Sequence, residues 1–199
     1  MSISAKDVKA LRDRTGAGMM DCKKALTETN GNLEDAIDLM RASGAAKVAK
    51  RAEKIASEGT IGSYLHFDNR VASMVELNCE TDFVANTDEF KALARDIALH
   101  IASQAPQGVS DSDIASEVLD RERKVYEGQV KEEGKPEHIA EKIVEGKMRK
   151  YFEENTLLAQ PFVKNPDQTI AELITEISAK TGEKIEIARF VRMKVGEAE

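Results

Sequence analysis

The chain has no tryptophan, and aromatic residues fill only 5% of its 199 positions. A core with so few rings has to be aliphatic, which suits a helix-rich protein. Cysteine is nearly as scarce: Cys22 and Cys79 stand alone, too few for a disulfide framework and not at metal-ligand spacing. His66, His100 and His138 are scattered singly, so no metal site or catalytic relay is spelled out. No apolar run approaches the roughly 20 residues of a membrane-spanning helix. The opening Met1-Ser2-Ile3-Ser4-Ala5-Lys6-Asp7 has neither the apolar core of a signal peptide nor the arginine-rich, acid-free character of a transit peptide. A cytoplasmic protein is expected. Also missing are H-E-x-x-H, C-x-x-C, G-x-S-x-G, a Walker loop and G-x-G-x-x-G after a strand. These absences speak against an enzyme, and no cofactor or metal is expected. Basic residues are the minority, 29 against 36 acids for a net charge of -7, so direct nucleic-acid binding is not expected.

What is present is helical periodicity with sharp punctuation. The length suits one domain with an appendage or two small ones. Ser4 can cap a first helix, with Asp7 three positions on and Val8 and Leu11 as its apolar stripe. Thr15-Gly16-Ala17-Gly18 breaks it. With no strand before it and no G-K-[ST], this loop does not read as a phosphate cradle. A second helix runs from Met19 to about Thr27, and a third, capped by Asn32, runs up to Gly44. Residues 1–45 therefore read as a three-helix domain with a very small core, typical of compact protein-binding modules. Neighbours on a helix point about 100° apart, so Met19 and Met20 cannot both face that core. One exposed thioether would suit a partner surface, and one core plus one ordinary surface methionine is the plain alternative. Residues 46–58, with Lys47, Lys50, Arg51 and Lys54 among small alanines, read as a partly helical linker with a solvated basic face.

Residues 59–199 read as an α+β core. Ile61, Ser63, Leu65 and Phe67 alternate with Gly62, Tyr64 and His66, which predicts a strand. Asp68-Asn69 is a candidate two-residue turn, and the return strand puts Ser73, Val75, Leu77 and a buried Cys79 on one face. Phe90, Leu93, Ala94, Ile97, Ala98 and Ile101 predict a helix capped by Asn86 or Thr87. A charged, largely exposed helix follows over 110–133 with Ser112 as its cap. Gly134-Lys135-Pro136 breaks it, and the next helix carries Ile139, Ile143, Val144, Met148, Tyr151 and Phe152. Gln160-Pro161-Phe162-Val163 is an exposed-looking apolar connection. Thr169 and Glu172 form a capping box for a helix closed by Gly182. Last, Ile185, Ile187, Val191, Met193 and Val195 share one side of a strand, interrupted by Arg189. The strands should join in a three-stranded antiparallel sheet backed by helices.

The stretch Asn78 to Asn86, N-C-E-T-D-F-V-A-N, connects the second strand to the well-capped helix. A charged Asp82 beside a large Phe83 is unusual on a short connection, where binding residues concentrate. Two readings stay open from the residues alone. Phe83 is an exposed contact residue, or it folds back as a lid on its own core with Asp82 as an N-cap.

Thr81-Asp82-Phe83-Val84-Ala85 resembles the signature of the elongation factor Ts family. So do Leu11-Arg12 followed by Thr15-Gly16-Ala17-Gly18-Met19-Met20-Asp21-Cys22-Lys23-Lys24-Ala25-Leu26, and Gln160-Pro161-Phe162-Val163. The resemblance implies a guanine-nucleotide exchange factor that binds elongation factor Tu, GDP-bound and nucleotide-free, and makes no bond itself. It implies a ubiquitin-associated-like N-terminal domain gripping the partner, with Arg12, Met19 and Met20 at the contact. It implies that Thr81, Asp82, Phe83 and Val84 enter the partner and disturb its Mg²⁺ and phosphate site. It also implies a short form with a single core half, working as a homodimer. Against this stand a translation- or ribosome-associated binding module without exchange activity, and a small transferase built around Asp82.

Overall fold

The computed structural model describes residues 3–15, 17–134 and 136–197. Met1, Ser2, Gly16 of the first helix break, Lys135 of the later one, Ala198, Glu199, and the side chains of Lys47, Glu137 and His138 lie outside the described residues. The architecture is α+β. Helices α1 (Ala5–Thr15), α2 (Met19–Glu28) and α3 (Leu33–Ala49) come first. They enclose a small core of Val8, Leu11, Cys22, Ala25, Leu26 and Ala36. Asn32 caps α3 as expected, its side chain accepting from the Glu34 and Asp35 N–H groups. The helix does not stop at Gly44, however, and continues to Ala49, into the expected linker. Gly44 acts by close approach: a Cβ there would meet the Ala179 Cβ at 3.2 Å, where α3 packs on a late helix.

Strands β1 (Glu58–Leu65) and β2 (Val71–Cys79) form an antiparallel hairpin. Its turn is longer than two residues. The His66 N–H donates to the Val71 carbonyl, and Asn69 adopts a left-handed conformation at φ 57, while the Asp68 carboxylate accepts the Arg70 N–H. The short helix α4 (Asp82–Ala85) and the long α5 (Asp88–Gln104) follow, with α5 lying across β1 and β2. Gly62 permits that approach, since a Cβ there would fall 2.2 Å from the Ala94 carbonyl oxygen.

The expected Ser112 cap is replaced by Ser110, which forms a capping box with Asp113 around a single 3-10 turn. Helix α6 starts later, at Ser116, and pairs with α7 (Glu137–Asn155) after ending at Glu132. Val130, Val144 and Met148 form the core of this helical pair. Strands β3 (Pro161–Phe162) and β4 (Asn165–Thr169) make a small second sheet that the sequence did not signal. The segment that looked exposed alternates: Gln160 and Phe162 are buried, whereas Pro161 and Val163 are exposed. His100 holds it there, its Nε2 pairing with Gln160 Oε1 at 3.0 Å and its Nδ1 accepting the Val163 N–H at 3.2 Å. Thr169 and Glu172 form the expected capping box on α8 (Ile170–Thr181), which Gly182 closes at φ 73.

Strand β5 (Glu186–Lys194) completes a sheet of order β1-β2-β5. Its alternation does not stay on one face. The β2–β5 register shifts between Glu76 and Leu77, whose partners are Arg189 and Ile187. The extra residue, Ala188, is a bulge that reverses the side-chain phase. Ile185 and Ile187 are therefore buried, whereas Val191, Met193 and Val195 are exposed. Phe190 packs against the core in their place. Ile61, Leu65, Phe67 and Met74 share the exposure, so the sheet's outer face is apolar. Its inner face, with Val75, Leu77 and Cys79, meets Phe90, Ile97 and Ile101 of α5 in the main core. No helix among the described residues is long and apolar enough to cross a membrane.

Candidate partner-binding site

The signature stretch is built from its ends inward. Cys79 closes β2 fully buried, and its Sγ donates to the Thr81 carbonyl at 3.2 Å. Burial, and then the nearby Glu183 charge, push the Cys79 thiol pKa up, which disfavours the reactive thiolate. Thr81, not Asp82, is the N-cap of α4, its hydroxyl accepting the Val84 N–H at 3.4 Å. Thr87 then caps α5 by accepting the Phe90 N–H at 3.2 Å, and its hydroxyl donates back to the Val84 carbonyl at 2.8 Å. The Asn86 side-chain amide donates to the Asp82 carbonyl at 3.0 Å. A four-residue helix cannot nucleate by itself; these caps and the buried Val84 and Ala85 hold it.

The consequence falls on Phe83. With Val84 and Ala85 turned into the core, Phe83 points outward and is 79% exposed. The lid reading is overturned, because the inward positions are already taken. Asp82 and Thr81 are exposed beside it, and Asp82, Phe83, Asn86 and Thr87 line a shallow, open depression. Val84 is only 5% exposed. It anchors the turn from the core side, while its neighbours Asp82 and Phe83 stand in solvent.

At the other end of the chain, Met19 is 46% and Met20 76% exposed. Both stand outside the small core, so neither is the core methionine of the plain alternative. The inward positions of α2 belong to Cys22, Ala25 and Leu26. Arg12 is exposed on α1. Among the described residues no group of three or more His, Cys, Asp or Glu side chains could hold a metal ion.

The sequence reading missed three residues that frame the loop. The Glu183 carboxylate accepts the N–H groups of Glu80 and Thr81 and the Thr81 hydroxyl. Glu80 accepts the Lys184 N–H at 2.6 Å and is gripped by Arg51, 2.7 and 2.9 Å from its two oxygens. The Lys184 N–H first, and Arg51 after it, hold the Glu80 carboxyl below its ordinary pKa. No local pattern announces partners that lie 29 to 104 positions apart.

The comparisons with known proteins agree on one family. The family model described as "Elongation factor TS" matches residues 3–197. An Elongation factor Ts of Thermosipho melanesiensis is 52% identical over 195 residues, covering 98% of this chain and 100% of the relative. Those of Carboxydothermus hydrogenoformans and Moorella thermoacetica are 53% and 52% identical, again over 98% of this chain and over 90% and 96% of their own. Matches of this extent, on a chain that presents its signature aromatic to solvent, place it among translation elongation factors: it belongs to the elongation factor Ts family.

Proposed function

We propose that the chain is a guanine-nucleotide exchange factor for elongation factor Tu, with no bond chemistry of its own, working in the cytoplasm. The observation that carries this reading is the exposure of Phe83 on a turn capped at both ends and anchored by Val84 and Ala85. An aromatic held in water on a rigid support is costly unless a partner covers it. In this reading Phe83 and Asp82, beside Thr81, intrude into the partner and disturb its Mg²⁺ and phosphate groups. Arg12, Met19 and Met20 on α1 and α2 form a second grip, residues 1–45 serving as a ubiquitin-associated-like docking module. The coupling is reciprocal: whatever factor the chain takes from GDP affinity, GDP takes from the chain's affinity. A thousandfold faster release needs roughly 4 kcal/mol of barrier lowering. One buried aromatic is worth about 1.5–3 kcal/mol, so the second grip has a share to supply.

A homodimer joined through the outer face of the sheet is part of the same proposal. The paired rows Leu65–Ala72–Met193 and Ser63–Met74–Val191 are uncharged. In the next row Glu76 and Arg189 neutralise each other at 2.7 Å. A second copy could cover this face without stranding an unpaired charge.

The test is the release of labelled GDP from preloaded elongation factor Tu, with and without the chain. Acceleration at substoichiometric amounts is expected. Binding without acceleration would replace the exchange reading with that of a non-exchanging module.

A further inference from the structure

Thr81 is held from a distant part of the chain. Glu183 stands between α8 and β5, with its own carbonyl accepting the Ser178 hydroxyl and its N–H donating to Thr181 Oγ1 at 3.4 Å. From that fixed position its Oε2 accepts the Glu80 and Thr81 N–H groups at 3.0 and 3.1 Å, and its Oε1 accepts the Thr81 hydroxyl at 2.6 Å. The Thr81 hydroxyl has one proton to give. Once it is given to Glu183, an oxygen lone pair is left facing the Val84 N–H, the bond that caps α4. The carboxylate therefore sets the rotamer of the cap, and the cap sets the turn that carries Asp82 and Phe83. Glu80 returns the contact by accepting the Lys184 N–H beside Glu183, and Arg51, just beyond α3, grips the same Glu80 carboxylate. The turn is thus braced from both the β5 side and the α3 side.

We propose that Glu183 is a positioning residue for nucleotide release, holding Thr81 so that Phe83 meets the partner already in place. The inference rests on the exchange reading above. A side chain locked before the encounter loses no conformational freedom on insertion, so loosening the brace slows release even though no partner-facing group is removed.

The experiment compares Glu183→Ala, Glu183→Gln and Thr81→Val with the unaltered full-length chain. GDP release from preloaded elongation factor Tu is followed at increasing factor concentration, and backbone amide hydrogen exchange is measured on the free proteins. Glu183→Ala is expected to lower the maximal release rate about tenfold. The half-saturating concentration should stay within about twofold. Exchange at the Glu80, Thr81 and Val84 amides should quicken while the β1–β2 ladder stays protected. Thr81→Val should show the same loss, and the double variant should lose little more than either, as expected for groups acting through one bond network. Glu183→Gln can still accept from the two N–H groups and should recover part of the rate. Should Glu183→Ala fail to fold, the Thr81→Val and Glu183→Gln pair carries the same comparison. Unchanged release by Glu183→Ala with a loosened turn overturns the proposal, as does full additivity in the double variant. If the unaltered chain itself releases no GDP, the exchange reading falls, and the proposal with it.

Discussion

At residue 83 a large ring stands in solvent because the next two residues, Val84 and Ala85, occupy the core instead. That arrangement makes Phe83→Ala a clean experiment. Little packing is lost in the free protein, so the melting temperature should stay within a degree or two. Stimulation of GDP release should fall about tenfold, or roughly 1.5 kcal/mol. Asp82→Asn keeps the shape and removes the charge, isolating any electrostatic disturbance of the partner's metal site. Unchanged release per folded molecule would remove Phe83 from the exchange contact. His100 offers a different residue-scale test. Burial pushes its pKa below the ordinary 6.5, with the Gln160 bond opposing. The unfolded chain therefore takes up a proton that the folded chain resists. This contribution to stability is complete above about pH 6.5 and is lost as pH falls through the lower folded value. Melting curves from pH 7.5 to 5 should fall more steeply for the natural chain than for His100→Gln, which cannot titrate. Parallel slopes would remove His100 from the account.

Between elements, two glycines decide how closely helices approach their neighbours. Gly62 faces the α5 backbone so tightly that a single methyl would collide with the Ala94 carbonyl. Gly62→Ala should therefore destabilise by about 1–3 kcal/mol through overpacking, read as a lowered denaturant midpoint. A neutral result would mean that α5 shifts freely on the sheet. The β5 bulge acts at the same scale. Without it, Val191 and Met193 would turn inward and the outer face of the sheet would lose both from its apolar surface. The local alternation of residues 185–195 is real, but alternation reports a face only while the register is unbroken.

For the whole molecule, the proposed dimer and the proposed docking module make separate predictions. Sedimentation at micromolar concentration should give about twice the 21.9 kDa chain mass. Met74→Glu, placed on the exposed face of the central strand, should reduce this to the monomer mass while the fold survives. A natural chain that sediments as a monomer with full exchange activity would end the dimer proposal. A chain beginning at Ser57 should still fold around the main core and bind elongation factor Tu more weakly. It should also melt lower than the full chain, since it loses the packing of α3 on α8 and the Arg51–Glu80 ion pair. Full-strength binding would show that the N-terminal helices are not a grip.

The sequence by itself determined the larger elements and several of their ends. Caps, breakers and periodicity are local, and Asn32, Thr87, Thr169 with Glu172, and Gly182 each act within a few residues of where they stand. The signature stretch was legible for the same reason, as an aromatic beside an acid on a short connection. What only the tertiary structure decided depends on groups far apart in the chain. Phe83 is exposed because Val84 and Ala85 reach the main core. Gly44 continues a helix because α8 lies against it, and Gln160 turns inward because His100 waits there. Glu183 braces Thr81 across 102 positions. Hydrogen bonds and packing at such separations are set by the fold, and no short-range pattern encodes them.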